Sequence, residues 1–157
     1  MKKGDIVFYQ AVPKNTLEKL IALFSHSKEE IIHVAIYVEE DTVIEANLGR
    51  TVGYAKLGSS KSKKIVKTCP SLSDEQREKI VTYCLQQFGQ QYDLREIGEL
   101  FLKYFHVDIH YHEKNKKICS TLVNNAYTYA GVTLVGSEDV SPEDLFESAL
   151  LVEINRL

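Results

Sequence analysis

The apolar positions change period several times along the chain, and each period predicts an element. After Gly4-Asp5, the run Ile6-Val7-Phe8-Tyr9 is rich in β-forming residues and reads as a short first strand. Pro13 to Asn15 is a turn. Thr16 caps a predicted helix that carries Leu17, Leu20, Ile21 and Phe24 at helical spacing. A hairpin follows. Ile32 to Val38 is one strand, Glu39-Glu40-Asp41 the turn, and Thr42 to Ala46 the returning strand.

Leu48 to Gly58 contains three glycines and reads as loop, and Lys64 to Lys67 as another strand. Ser73-Asp74-Glu75-Gln76 has the form of a capping box, which opens a helix with the apolar stripe Ile80, Val81, Cys84, Leu85 and Phe88, stopped by Gly89. Leu94, Ile97, Leu100, Phe101 and Tyr104 form a second helical stripe. His106 to Lys117 is polar and reads as irregular. Cys119 then opens a helical segment with Leu122, Val123, Ala126 and Tyr127 on one face and Gly131 at its end. Ser141-Pro142-Glu143-Asp144 is a helix start, and Leu150 to Ile154 a closing strand. The expected fold class is α+β, an antiparallel sheet packed against helices, in one domain spanning residues 1–157.

Composition narrows the function classes. The chain has 157 residues, 44% hydrophobic and 26% charged, with a net charge of −3, so it lacks the basic footprint of a nucleic-acid binder. The Lys-rich stretch Lys61 to Lys67 is local and reads as a solvated loop or strand edge. The N-terminus has two lysines but no long apolar run behind them, and no window resembles a membrane span, so the expected location is the cytoplasm, without membrane insertion. Oligomeric state is open at this point.

The three cysteines, Cys69, Cys84 and Cys119, give neither a disulfide framework nor a zinc pattern. Cys84 lies on an apolar stripe and reads as core. Cys69 precedes Pro70 at a strand end and reads as structural. Cys119 stands at an expected helix start, where unpaired N–H groups would stabilise a thiolate and an oxyanion. A thiolate nucleophile needs a base. Of His26, His33, His106, His110 and His112, only His33 lies on an apolar strand. With the hairpin turn centred on Glu39, Glu45 pairs directly across from His33, where its carboxylate would orient the imidazole. A shift of one residue would break this pairing.

The runs GDIVFY, HVAIYV, VIEA, YDLREIG and CSTLV, followed by NAY and AG, resemble the YiiX-like permuted papain-fold hydrolases. These belong to the NlpC and p-sixty superfamily and are related at clan level to lecithin:retinol acyltransferase-like enzymes. The resemblance spans about Gly4 to about Phe146 and rests on the order and spacing of the runs. It implies a circularly permuted papain-like fold in which the histidine strand comes first and the cysteine late. It further implies that Cys119 attacks an amide or ester carbonyl, that His33 activates it, and that Glu45 orients His33. Tyr92 matches a tyrosine near the active site of such enzymes, or simply packs between helices. Ser120, next to the cysteine, is the other candidate substrate contact. No metal or organic cofactor is required. The implied substrate is a small peptide, such as a γ-D-glutamyl or diamino-acid amide of cell-wall type, or a lipid-like acyl group. The alternatives are a thiol acyltransferase of the same clan and a non-catalytic binding module. Metal binding by His106, His110 and His112 is a further alternative.

Overall fold

The computed structural model describes residues 1–11, 31–46, 51–89, 109–137 and 139–157, with backbone alone for 109–118. The expected helix at 16–24, the stripe at 94–104, Tyr92, His26 and His106 lie outside the described residues.

Strands β1 (Ile6–Gln10), β2 (Ile31–Glu39), β3 (Thr42–Glu45), β4 (Gly53–Lys56), β5 (Lys64–Thr68) and β6 (Val152–Arg156) form one sheet in the order β4-β3-β2-β1-β5-β6, and every neighbouring pair is antiparallel. Helices α1 (Asp74–Gln86), α2 (Ile109–Tyr129) and α3 (Pro142–Phe146) accompany it, so the α+β class holds.

Period-two alternation sorts the strand residues into two clusters. Ile6, Phe8, Val34, Ile36, Ile44 and Ile65 pack with Ile80, Val81 and Cys84 of α1 and with Leu122, Val123, Ala126 and Tyr127 of α2. Val7, Tyr9, Ala35, Tyr37, Val43 and Val66 form a second cluster with Leu57. Both sets are buried, which is why β1 and β2 read as continuous apolar runs.

Local signals set the helix ends. Ser73 and Gln76 complete the capping box of α1, and Ser141 and Asp144 complete another at α3. Helix α2 closes in a Schellman arrangement. The Val132 N–H donates to Tyr127 O and the Gly131 N–H to Thr128 O, each at 2.9 Å, with Gly131 at φ +82°. Gly4, at φ +80°, turns the chain into β1, and its carbonyl accepts a 2.7 Å bond from the buried Tyr127 hydroxyl. Arg77 of α1 fastens the same entry point. Its guanidinium donates to the Asp5 carboxylate at 2.8 Å and to Lys3 O at 2.9 Å, and the Thr68 hydroxyl donates to Asp5 at 2.6 Å.

Two expectations need correcting. The glycine-containing stretch 48–58 holds strand β4 and a 3-10 turn at Leu57–Ser59. β4 is an edge strand held by its ladder to β3, so tertiary pairing outweighs its weak local propensity. Helix α2 begins at Ile109, ten residues before Cys119 (119 − 109 = 10). Its first half lacks an apolar stripe, which is why polarity there reads as irregularity. Smaller differences are that β6 runs two residues later than expected and that Leu85 of the α1 stripe is exposed.

Candidate active site

Three elements bring His33, Glu45 and Cys119 together. His33 lies near the start of β2, Glu45 ends β3, and Cys119 lies midway along α2, which packs on β2.

The hairpin register differs from the expected one by two residues. Ile36 pairs with Ile44 and Tyr37 with Val43, so Glu45 continues opposite Ala35 and His33 is its diagonal neighbour. The cause is the turn. A register shift follows Tyr37, Glu39 pairs with Thr42, and Glu40 takes φ +49°. A slip of two residues preserves the side on which each side chain projects, where a slip of one would reverse it. Diagonal side chains of this length still meet, and His33 Nε2 lies 3.0 Å from Glu45 Oε2.

A carboxylate only accepts, so the imidazole Nε2 carries the hydrogen and donates it to Glu45. In neutral His33 the lone pair then sits on Nδ1. That atom is buried and makes no regular hydrogen bond among the described residues. Burial works to lower the basicity of His33. Interactions with Cys119 and then with Glu45 outweigh it, and the imidazole pKa is raised to about 10. His33 therefore bridges a thiol on a helix and a carboxylate on a strand. Chemically, such an arrangement can serve as a base with a fixed tautomer beside a thiol.

The sheet is irregular here. β1 and β2 shift register after Tyr9, so that Tyr9 pairs with His33 while Gln10 pairs with Ile31. Bulges re-aim side chains. His33 accordingly touches Tyr9 of the second cluster and also reaches Cys119 of the helix-side core. Strand periodicity did not single out Tyr9. The signal was the antiparallel pairing of the first two strands, which one hairpin alone does not disclose.

The surroundings of Cys119 are not those of a helix start. Within α2 its backbone N–H belongs to the helical ladder, so dipole and free N–H groups do not explain its chemistry. Among the described residues, His33 is a neighbour that can balance a thiolate. Cys119 is fully buried. Ser120 is also fully buried, and its hydroxyl donates to Val140 O, which ties α2 to the loop before α3.

The other cysteines sit in the core. Burial pushes the Cys84 thiol up to about 12, and Cys69 is buried with Sγ 3.2 Å from the Ser71 hydroxyl. Among the described residues, no three His, Cys, Asp or Glu side chains converge as metal ligands, and no helix is long and apolar enough to cross a membrane. The backbone of His110 and His112 is helical, and their side chains lie outside the description.

No curated protein matches the chain. A family model does match, over residues 1–148, a span that includes β2, β3 and α2. Its description is permuted papain-like amidase enzyme, YaeF/YiiX, C92 family. By fold and by this match, the chain belongs to the C92 family of permuted papain-like amidases and is a cysteine hydrolase of the peptidase or amidase kind.

Proposed function

We propose that Cys119, His33 and Glu45 form the catalytic triad of this amidase and that it cleaves a small peptide amide. The observation that carries this reading is His33, bonded to Glu45 through Nε2 at 3.0 Å and raised in basicity by Cys119 and Glu45 together. The family's amidase character supports an amide as the scissile bond.

The steps follow from the tautomer. Nδ1 takes the thiol proton, and the resulting thiolate–imidazolium pair is the reactive form. Cys119 Sγ attacks the acyl carbon. The C–N bond breaks as Nδ1–H passes its proton to the departing nitrogen, leaving a thioester. Water then attacks the thioester, giving its proton to His33. The acid leaves and the thiol is restored. Glu45 keeps the hydrogen on Nε2 throughout and balances the imidazolium charge. The proposed substrate class is a cell-wall-type peptide with a γ-D-glutamyl or diamino-acid amide. Tyr92 remains a proposed substrate neighbour. Ser120, with its hydroxyl on Val140, is better suited to fixing the Cys119 turn of the helix.

The test is labelling with a small thiol electrophile across pH, in the wild type and in Cys119→Ala, His33→Ala and Glu45→Ala. Expected is rapid labelling at Cys119 below pH 7 that His33→Ala abolishes, with amide hydrolysis falling on the order of 100-fold or more in that variant. Labelling of Cys119 whose rate and pH dependence are unchanged in His33→Ala would sink the triad.

A further inference from the structure

A row of chemically distinct side chains crosses four adjacent strands. Tyr9 of β1 is directly opposed to His33 of β2 on one side and to Lys64 of β5 on the other. Glu45 of β3 continues the row beyond His33. The order is therefore ammonium, phenol ring, imidazole, carboxylate.

The contacts within this row involve the phenol ring. The ring centroids of Tyr9 and His33 are 5.3 Å apart with a 50° interplanar tilt, and Tyr9 is almost fully buried. Lys64 Nζ lies 5.6 Å from the same centroid. Two backbone carbonyls, Ser60 O at 2.8 Å and Ser62 O at 2.9 Å, hold that ammonium in place. The hydroxyl of Tyr9 is pushed up by burial and further by the negative charges of Glu45 and Asp41, so it stays neutral through the working pH range. An aromatic face within about 6 Å of a cation stabilises it through the ring quadrupole.

We propose that Tyr9 is a positioning residue for His33, its ring fixing the imidazole between Glu45 and Cys119 and favouring the imidazolium over the neutral ring. This deepens the triad reading and rests on it. The mechanism requires His33 to hold a proton in the thiolate–imidazolium pair that precedes attack, and the carboxylate meets only the Nε2 edge. Tyr9 supports the ring itself. Lys64, anchored beyond Tyr9, keeps the phenol from swinging away. The charged and titratable groups facing this arrangement are Cys119 from α2, Glu45 from β3, Lys64 from β5, and Asp41 from the hairpin turn on the Tyr9 side.

The experiment is an NMR titration of His33 in the full chain, with labelled histidine and with Cys119→Ala in every sample, so that no thiol titrates beside the imidazole. Three residues at position 9 are compared: tyrosine, phenylalanine (Tyr9→Phe) and pentafluorophenylalanine. They are nearly isosteric, so folding is retained while the ring quadrupole is kept or reversed. Tyr9→Phe should leave the His33 midpoint close to that of tyrosine. Pentafluorophenylalanine should lower it by about half a pH unit or more. Equal midpoints for the two phenylalanines would overturn the proposal. So would a large shift in Tyr9→Phe, which would assign the effect to the hydroxyl. The titration reads the imidazole directly and needs no catalysis. Failure here with His33-dependent labelling of Cys119 intact would leave the triad standing without Tyr9.

Discussion

Glu45 meets His33 with one oxygen at 3.0 Å, and this contact does two things that substitution can separate. Glu45→Gln keeps an acceptor of the same shape but removes the charge. It should lower the His33 pKa and reduce amide hydrolysis by about tenfold or more, a smaller loss than in His33→Ala, measured as kcat/KM across pH. The raised basicity also has a stability consequence. His33 is held above its ordinary 6.5, so its contribution is fully present below that value and is lost as pH rises through about 10. The urea midpoint of the wild type should therefore fall between these limits more steeply than that of His33→Gln. Equal slopes would mean that His33 binds its proton no more tightly in the folded protein. At this scale much was legible. A histidine on an apolar strand and a glutamate inside its returning partner stand out because each breaks an apolar pattern at a fixed spacing. Tyr9 breaks no pattern, since an aromatic residue on a strand is ordinary, and only the pairing of β1 with β2 gives it meaning.

Among the elements, those with local signals were legible and those that depend on partners were not. Ser73 with Gln76 and Ser141 with Asp144 announce their helices through side chain to backbone bonds within three residues. Ser73→Ala should cost about 1 kcal/mol in urea unfolding. By contrast, the first half of α2 has no apolar stripe and no readable start. Helix nucleation is costly and propagation cheap, so a polar half can be carried by an apolar half packed on the sheet. The expected helix start at Cys119 mistook the onset of the apolar stripe for the onset of the helix. β4 was hidden for the opposite reason, because the glycine next to Tyr54 suggests a turn and only the ladder to β3 makes it a strand. The Asp5–Arg77 pair is another long-range feature, joining the entry to β1 with α1 across 72 residues. Both side chains are buried, so removing one leaves the other charge without its partner. Asp5→Ala should destabilise by about 3–5 kcal/mol, read from the urea midpoint with an unchanged slope. A cost below about 1 kcal/mol would mean that water reaches Arg77 freely.

On the scale of the whole molecule, the sheet separates two apolar clusters, and His33 touches residues of both. The helix-side cluster contains all three cysteines, each fully buried. A reagent aimed at Cys119, the proposed nucleophile, should therefore have to pass its packed neighbours. Labelling rates should level off at high reagent concentration, at a plateau shared by small electrophiles of different intrinsic reactivity. A bulky maleimide should lag well behind iodoacetamide. Rates that stay proportional to concentration for every reagent would show that the thiol is reached without opening. The burial also has a bearing on durability. A nucleophilic sulfur in an open cleft is spent by any passing peroxide, which converts it to sulfenic and then sulfinic acid. Here the sulfur rests inside the protein, so Cys119 should form sulfenic acid more slowly under peroxide than an exposed thiolate, and the chain should outlast open-cleft thiol hydrolases under oxidative stress.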